Sequence, residues 1–400
     1  SRDCATASTE LASAPLWRTT PTGPPRGGPV GVVLQSGALA SSVLAFAQSR
    51  DVGLSLLTAM GNEMMVSVTD VIEYLVDDPD TKVIALFLES VRRPDEFARV
   101  ARRAAVVGKP IVALKIGSSD LASRTARAHT GALVGDDDVV DAAFRQLGVV
   151  RVRSLEDLII TAGLLARTGG IGGPRVGVVT PSGGACELIA DRAEHEGVQL
   201  PPFAPETVAR LKKDLPEFAT VSNPLDVTGY VVVDRTLLGR ALEAVAADPG
   251  IDAVLLLCDL PQRYVAEPEL VHMHFASLAQ RIDEAPVPVV VSGNVLTDVT
   301  EVGREVRENT GFPSPSGGID HAMSALGAAV RWSSARAAAA ARPERRVRRA
   351  PDTSPADDPV PAEQRAGVWT EHRAARLLDD HGIPVVPSAR ALTEDEAVAA

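Results

Sequence analysis

Cysteine is almost absent from this chain: Cys4, Cys186 and Cys258 are its three copies in 400 residues, widely separated. Without metal-ligand spacing or a disulfide framework, they fit a reduced interior and an expected cytoplasmic location. Aromatic residues make up only 4%, which offers few stacking partners to an aromatic ligand. Positive charge is short as well. With 40 basic against 52 acidic residues the net charge is −12, which argues against a nucleic-acid or membrane-surface binder. A small anion would therefore need locally arranged donors, because the overall field repels it. No apolar run approaches the roughly 20 residues of a membrane span, and no signal-peptide pattern opens the chain.

What remains is a soluble globular composition, 45% hydrophobic and long enough for several domains. The chain begins at Ser1 and stops at Ala400 inside the helix-like run Glu394-Asp395-Glu396-Ala397-Val398-Ala399-Ala400, as expected of an excerpt from a longer polypeptide.

Residues 1–28 are rich in Pro, Gly, Thr and Ser without an apolar period and read as a linker or the tail of a preceding domain. Val30-Gly31-Val32-Val33-Leu34 then reads as a strand buried on both faces, followed by the turn Gln35-Ser36-Gly37-Ala38 and an amphipathic helix from Leu39 to Ser49. Further strands at Val83–Leu88 and Ile111–Leu114 alternate with helices over 66–76 and 95–107. The programme repeats: Val176-Gly177-Val178-Val179-Thr180 leads through Pro181-Ser182-Gly183-Gly184-Ala185 into a helix over 186–195. Asp78-Pro79-Asp80 before one strand matches Asp248-Pro249-Gly250 before Ala253–Leu257, and Gly108–Val112 matches Val287–Val291. The fold class is thus α/β, with two tandem parallel-sheet domains at 29–167 and 174–333. Residues 334–367 turn to Ala, Arg, Pro and Asp and read as a disordered linker. A helix is expected over Glu371–Asp380, stopped at His381-Gly382, then a strand at Ile383-Pro384-Val385-Val386-Pro387.

Three features carry chemistry. The paired turns at Ser36-Gly37 and Ser182-Gly183-Gly184 each open a helix after a strand, where free N–H groups, the positive end of the helix dipole and a Ser hydroxyl can meet an anion. Such turns lie at the carboxyl edge of a parallel sheet, where ligands bind. His129 lies in a stretch of small and polar residues from Gly117 to Gly135, too long for an idle connection. It is open to a role as base, ligand or nucleophile, or to a purely structural one. Glu89 closes the strand at Val83–Leu88, either as a solvated strand end or as a carboxylate that holds an imidazole in one tautomer. His272-Met273-His274 has no carboxylate at zinc-ligand spacing, and no metal site is expected.

Gln35-Ser36-Gly37-Ala38-Leu39, Gly61-Asn62, Leu88-Glu89-Ser90, Gly108-Lys109-Pro110, His129-Thr130-Gly131-Ala132-Leu133 with Gly135, Pro181-Ser182-Gly183-Gly184 and Asn223-Pro224-Leu225-Asp226 occur in this order. Together they resemble the ligase half of the NDP-forming acyl-CoA synthetases, the superfamily of ADP-forming acetate–CoA ligase and succinyl-CoA synthetase. The resemblance covers most of residues 29–333. It implies two flavodoxin-like, succinyl-CoA synthetase-like domains, with residues 1–28 the tail of a CoA-binding domain and 368–400 the incomplete start of an ATP-grasp domain. It further implies His129 as the phosphorylated histidine and Glu89 as the carboxylate that orients it. Ser36, Gly37, Ala38, Ser182, Gly183 and Gly184 would hold phosphate; Gln35, Asn62, Asn223 and Asp226 would lie near the acyl thioester.

The implied reaction interconverts acyl-CoA, phosphate and ADP with a carboxylic acid, CoA and ATP through an acyl phosphate and a phosphohistidine. CoA, ATP/ADP and Mg²⁺ are the implied cofactors, nucleotide and metal being held mainly outside this segment. A homo-oligomer is expected, with no nucleic-acid or membrane partner. Leu34 and Ala128 stand where the family often has serine, and Asp3-Cys4 lacks the usual following glycine, which leaves the acyl specificity open. Two rival readings are a catalytically inactive, CoA-responsive regulatory module of the same family and a flavodoxin-like small-ligand binder.

Overall fold

A computed structural model describes residues 26–61, 63, 65–118, 137–341, 369–380, 382–386, 393 and 395. The chain divides into two compact units, 1–341 and 342–400. In the first, β1 (Gly27–Leu34), α1 (Leu39–Ser49), β2 (Leu54–Ala59), α2 (Val68–Asp77), β3 (Val83–Leu88), α3 (Pro94–Val106), β4 (Ile111–Lys115), α4 (Asp137–Leu147), β5 (Val150–Val152) and α5 (Leu155–Thr168) build one α/β layer set. β6 (Val176–Thr180), α6 (Gly183–Glu196), α7 (Pro205–Asp214), β7 (Leu225–Asp226), α8 (Leu237–Ala246), β8 (Ala253–Leu257), α9 (Pro268–Asp283), β9 (Val289–Ser292), α10 (Glu301–Thr310) and α11 (Ile319–Ala341) build the second.

Both sheets are parallel. The first runs β2-β1-β3-β4-β5 and the second β7-β6-β8-β9, so the chain reverses direction across each sheet beside its first strand. That is where an open parallel sheet forms a ligand crevice at its carboxyl edge. Alternation along the strands sorts side chains onto two faces. Val30, Val32 and Leu34 face inward to a core shared with Val176, Val178, Leu255 and helices α1, α5, α6 and α11. Val33, Ile84, Leu86 and Leu88 pack outward on α2, α3 and α4; Val179, Val254, Leu256 and Val291 pack outward beneath α7, α8, α9 and α10. The α5, α6 and α11 layer thus seals one face of both sheets.

The repeated Val-Gly-Val-Val strands owe their glycine to this packing. A Cβ on Gly31 would stand 2.8 Å from a Leu75 methyl, and one on Gly177 2.4 Å from Val245 Cγ1. Helix starts follow local chemistry: Ser67 and Asp70 form a capping box on α2, while Ser154, Ser182 and Thr300 cap α5, α6 and α10.

Three expectations are corrected. Order begins before residue 29: Gly27 and Gly28 join β1 because Gly28 lies against Gly53, too close to admit a Cβ. Residues 334–341, expected within the linker, are helical instead, since α11 runs through its alanines to Ala341; alanine is the strongest helix former, and Arg336 stacks over Trp332 at 5.5 Å. In the second unit α12 (Glu371–Asp380) matches the expected helix, with Gly382 at φ +69° beyond it. Described residues 383–386 form no strand; Pro384 has no N–H to give a ladder.

Candidate functional site

The carboxyl edge of the first sheet is organised by Gln35, the residue after β1, which is only 8% exposed. Its side-chain oxygen accepts the backbone N–H groups of Glu89 at 2.5 Å and Ser90 at 3.0 Å. Its side-chain nitrogen donates to the Ser90 carbonyl at 3.0 Å and to Glu63 Oε1. One amide therefore ties the end of β1 to the turn after β3, and Glu89 emerges half-buried from that turn. Both ends of the Gln35 amide are engaged by protein.

Glu63 is a participant that sequence reasoning missed. Its side chain is 5% exposed, and Oε2 accepts the Val68 N–H at 3.0 Å, at the start of α2. Arg92 lies 3.9 Å from the same carboxylate. A carboxylate just ahead of a helix start was the available signal; the Gln35 partner and the φ of +49° at Glu63 had none in the sequence.

The two Ser-Gly turns differ. At α1 the N-cap position is Ala38, which offers no side-chain cap, so the first-turn N–H groups lack that partner. Ser36 is half-buried, Gly37 and Ala38 are exposed, and a Cβ on Gly37 would meet nothing within 4 Å. At α6 the Ser182 oxygen accepts the Ala185 N–H at 3.4 Å, leaving its hydroxyl hydrogen to donate. Gly183 and Gly184 are exposed, and Gly184 also has open space where a Cβ would be. These openings fit an oxyanion drawn against bare backbone at each helix start. Leu39 and Ala40 of α1 border the same apolar cluster as Ala185 and Ile189 of α6, so the first turns of both helices rest on one core.

Asp226 ends β7 beside Thr180, with Oδ2 3.2 Å from the Cβ position of Gly183 and Oδ1 accepting the Thr228 N–H at 2.7 Å. Burial first, then the Asp226 charge, pushes the Cys186 thiol up to about 11, so it is a neutral neighbour rather than a nucleophile. Asn223 sits apart from this edge. Its oxygen accepts the Val178 N–H at 3.0 Å, and its nitrogen donates to the carbonyls of Val176 at 2.8 Å and Pro201 at 3.0 Å. Asn223 thereby stitches the approach to β7 onto β6 and carries Asp226 to the rim. His129 and Asn62 lie outside the described residues, as do all of residues 119–136. Among the described residues no group of three His, Cys, Asp or Glu side chains is placed to hold a metal ion, and no helix is long and apolar enough to cross a membrane.

Residues 27–165 match the family model described as a succinyl-CoA ligase like flavodoxin domain. The ADP-forming acetate–CoA ligase of Methanocaldococcus jannaschii is 35% identical over 206 residues, 52% of this chain and 29% of that protein. The alpha subunit of ADP-forming acetate–CoA ligase II of Pyrococcus furiosus is 29% identical over 72% of this chain and 62% of its own length. A solved structure, the Ca. Korarchaeum cryptofilum dinucleotide forming acetyl-coenzyme A synthetase 1 in complex with phosphate and ADP, superposes with a TM-score of 0.65 at 27% identity. That likeness covers 78% of this chain and 66% of the other. The chain thus spans under two thirds of each of these relatives.

Proposed function

Since the chain belongs to the NDP-forming acyl-CoA synthetase family and carries its succinyl-CoA ligase-like domain, we propose that it is the phosphohistidine-bearing ligase portion of an ADP-forming acid–CoA ligase. The observation that carries this reading is the pair of open glycine turns at Gly37 and Gly184, each starting a helix at the carboxyl edge of a parallel sheet.

In this mechanism phosphate attacks the acyl-CoA carbonyl, the C–S bond breaks, and CoA leaves as the acyl phosphate forms. His129, neutral, then attacks the phosphorus; the P–O bond to the acyl group breaks and the carboxylate departs. ADP takes the phosphoryl group from His129 to give ATP and restore the imidazole. The N–H groups of α1 and α6 stabilise the transferring charge without having to reorganise. Glu89, held by Gln35 through its backbone, fixes the imidazole tautomer so that the free nitrogen faces phosphorus. Asp226, beside the α6 turn, disfavours a fully ionised phosphate there and so selects a protonated or metal-paired one.

Residues 368–400 are read as the start of the ATP-grasp domain and residues 1–26 as the end of a CoA-binding domain, with the ligase domains running over 27–168 and 174–341. Nucleotide, Mg²⁺ and CoA would then be held mainly by those neighbours, in a cytoplasmic homo-oligomer acting on a small carboxylic acid. The phosphate and ADP in the Korarchaeum structure support the phosphate and nucleotide parts of this reading. The test is to expose the full-length protein to Mg-ATP and map acid-labile phosphate. It is expected on His129 and absent in His129→Ala; an active enzyme with an unmodified His129 overturns the mechanism.

A further inference from the structure

A cavity lies at the far end of β1 from the Ser36 turn. It has a volume of about 210 Å³ and is walled by Val30 of β1, Gly53 just ahead of β2, α5, and the segment 313–316 that follows α10. Its charged lining is three guanidiniums, Arg50, Arg167 and Arg307, against one carboxylate, Asp51. That carboxylate is already committed: it pairs with Arg307 and, at 2.7 Å, with Arg26 from outside the cavity.

Among the described residues Arg50 and Arg167 make no ion pair within 4 Å, although Asp298 attracts the first and Asp283 the second from farther off. Arg50 is 2% exposed and donates Nη2 to the Pro315 carbonyl at 3.1 Å, while its Nε and Nη1 are buried with no hydrogen-bond partner. Arg167 donates Nη1 to the Val289 carbonyl at 2.9 Å. The Ser314 hydroxyl is likewise buried without a partner. Burial pushes Arg50 and Arg307 below their ordinary range, Arg307 to about 10 with help from neighbouring Arg26. Buried polar groups are normally satisfied, and an unpaired buried charge is costly. One such cation, Arg50, and an idle hydroxyl, with the exposed Arg167 beside them around one cavity, mark a place that would take a counter-charge.

We propose that this cavity is a second anion site, distinct from the helix-start turns, that takes a small dianion of the phosphate-monoester or dicarboxylate kind between Arg50, Arg167 and Ser314. The proposal is independent of the ligase reading. The site joins the two sheets: Arg50 follows α1 of the first, and Ser314 precedes α11, beyond the last strand of the second. A bound dianion would brace them from the edge opposite the chemistry. Arg50 lines the cavity and keeps two guanidinium nitrogens unspent, which an anion oxygen would engage on binding.

Sulfate, a dianion that cannot transfer phosphoryl groups, is the probe. Calorimetric titration of the full chain is compared with Arg50→Gln, Ser314→Ala and Gly184→Asp, the last placing a repelling charge at the α6 turn. Sulfate affinity is expected to fall at least about tenfold in Arg50→Gln, the scale of a lost hydrogen bond to a charged group, and a few-fold in Ser314→Ala. It should persist in Gly184→Asp. Succinate titrated in parallel decides which kind of dianion is preferred. Unchanged sulfate and succinate affinity in Ser314→Ala and in folded Arg50→Gln, or no binding by the parent chain, overturns the proposal; should Arg50→Gln not fold, Ser314→Ala decides alone.

Discussion

The side-chain oxygen of Gln35 accepts the Glu89 N–H at 2.5 Å and the Ser90 N–H at 3.0 Å, locking the ends of neighbouring strands β1 and β3 together. Gln35→Leu keeps the volume near its original size but strands two N–H groups and takes the amide donor away from Glu63 Oε1. A loss of about 1–3 kcal/mol is expected in urea unfolding, together with slower phosphorylation of His129. Unaltered stability would mean that water replaces the amide and that Glu89 is placed by other contacts.

Gly184 separates stability from function. It lies in the first turn of α6 with open space at its Cβ, so Gly184→Ala should stabilise the fold by a few tenths to about 1 kcal/mol. The added methyl nevertheless occupies the space assigned to an oxyanion. Phosphorylation of His129 should fall about tenfold or more while the melting temperature rises; full activity with a raised melting temperature would remove the α6 turn from the phosphate site.

Gly177→Ala should be costly, because its Cβ would lie 2.4 Å from Val245 Cγ1 between β6 and α8. Overpacking of this kind costs about 1–3 kcal/mol and is read in denaturant midpoints. Gly31→Ala, facing the Leu75 methyls at 2.8 and 2.9 Å, should cost less, because a rotating leucine end can yield.

His321 on α11 and Asp157 on α5 meet at 2.8 Å, and each moves the other's titration. The hydrogen bond to Asp157 raises His321 against the effect of burial. Burial would raise Asp157, but its bonds to His321 and Ser154 outweigh that and hold it below its usual range. A raised histidine stabilises fully below its unfolded value and loses that contribution as pH climbs through the folded one. A lowered aspartate stabilises above its unfolded value and loses that contribution as pH falls through the folded one. The stability difference between the parent chain and His321→Ala should therefore be widest between about pH 4 and 6.5 and shrink above neutrality. A difference independent of pH from 4 to 9 would show that the pair contributes packing alone.

How much of this was legible beforehand follows from the range of the interactions. Val176-Gly177-Val178-Val179-Thr180 declared itself because continuous β-branched runs suit strands buried on both faces, and β6 has those limits. The turns at Ser36 and Ser182 were legible for the same local reason. Glu63 was not: its role depends on an amide 28 positions away and on a backbone conformation rare for glutamate. Nor did Asn223 announce that its amide would be spent on the β6 backbone, since a strand partner 45 residues distant leaves no periodic trace. The arginine-lined cavity escaped for a related reason: Arg50, Arg167 and Ser314 sit on segments far apart in the chain, and each alone looks like an ordinary surface residue.

The glycine-rich connection between α5 and β6 looks like a natural place to divide the chain, yet the layer formed by α5, α6 and α11 belongs to both sheets. Severed there, each half would present to water an apolar wall that its neighbour now covers. The halves would clump rather than work as separable modules. A gene that lost either repeat would encode a half whose apolar wall has nothing to cover it.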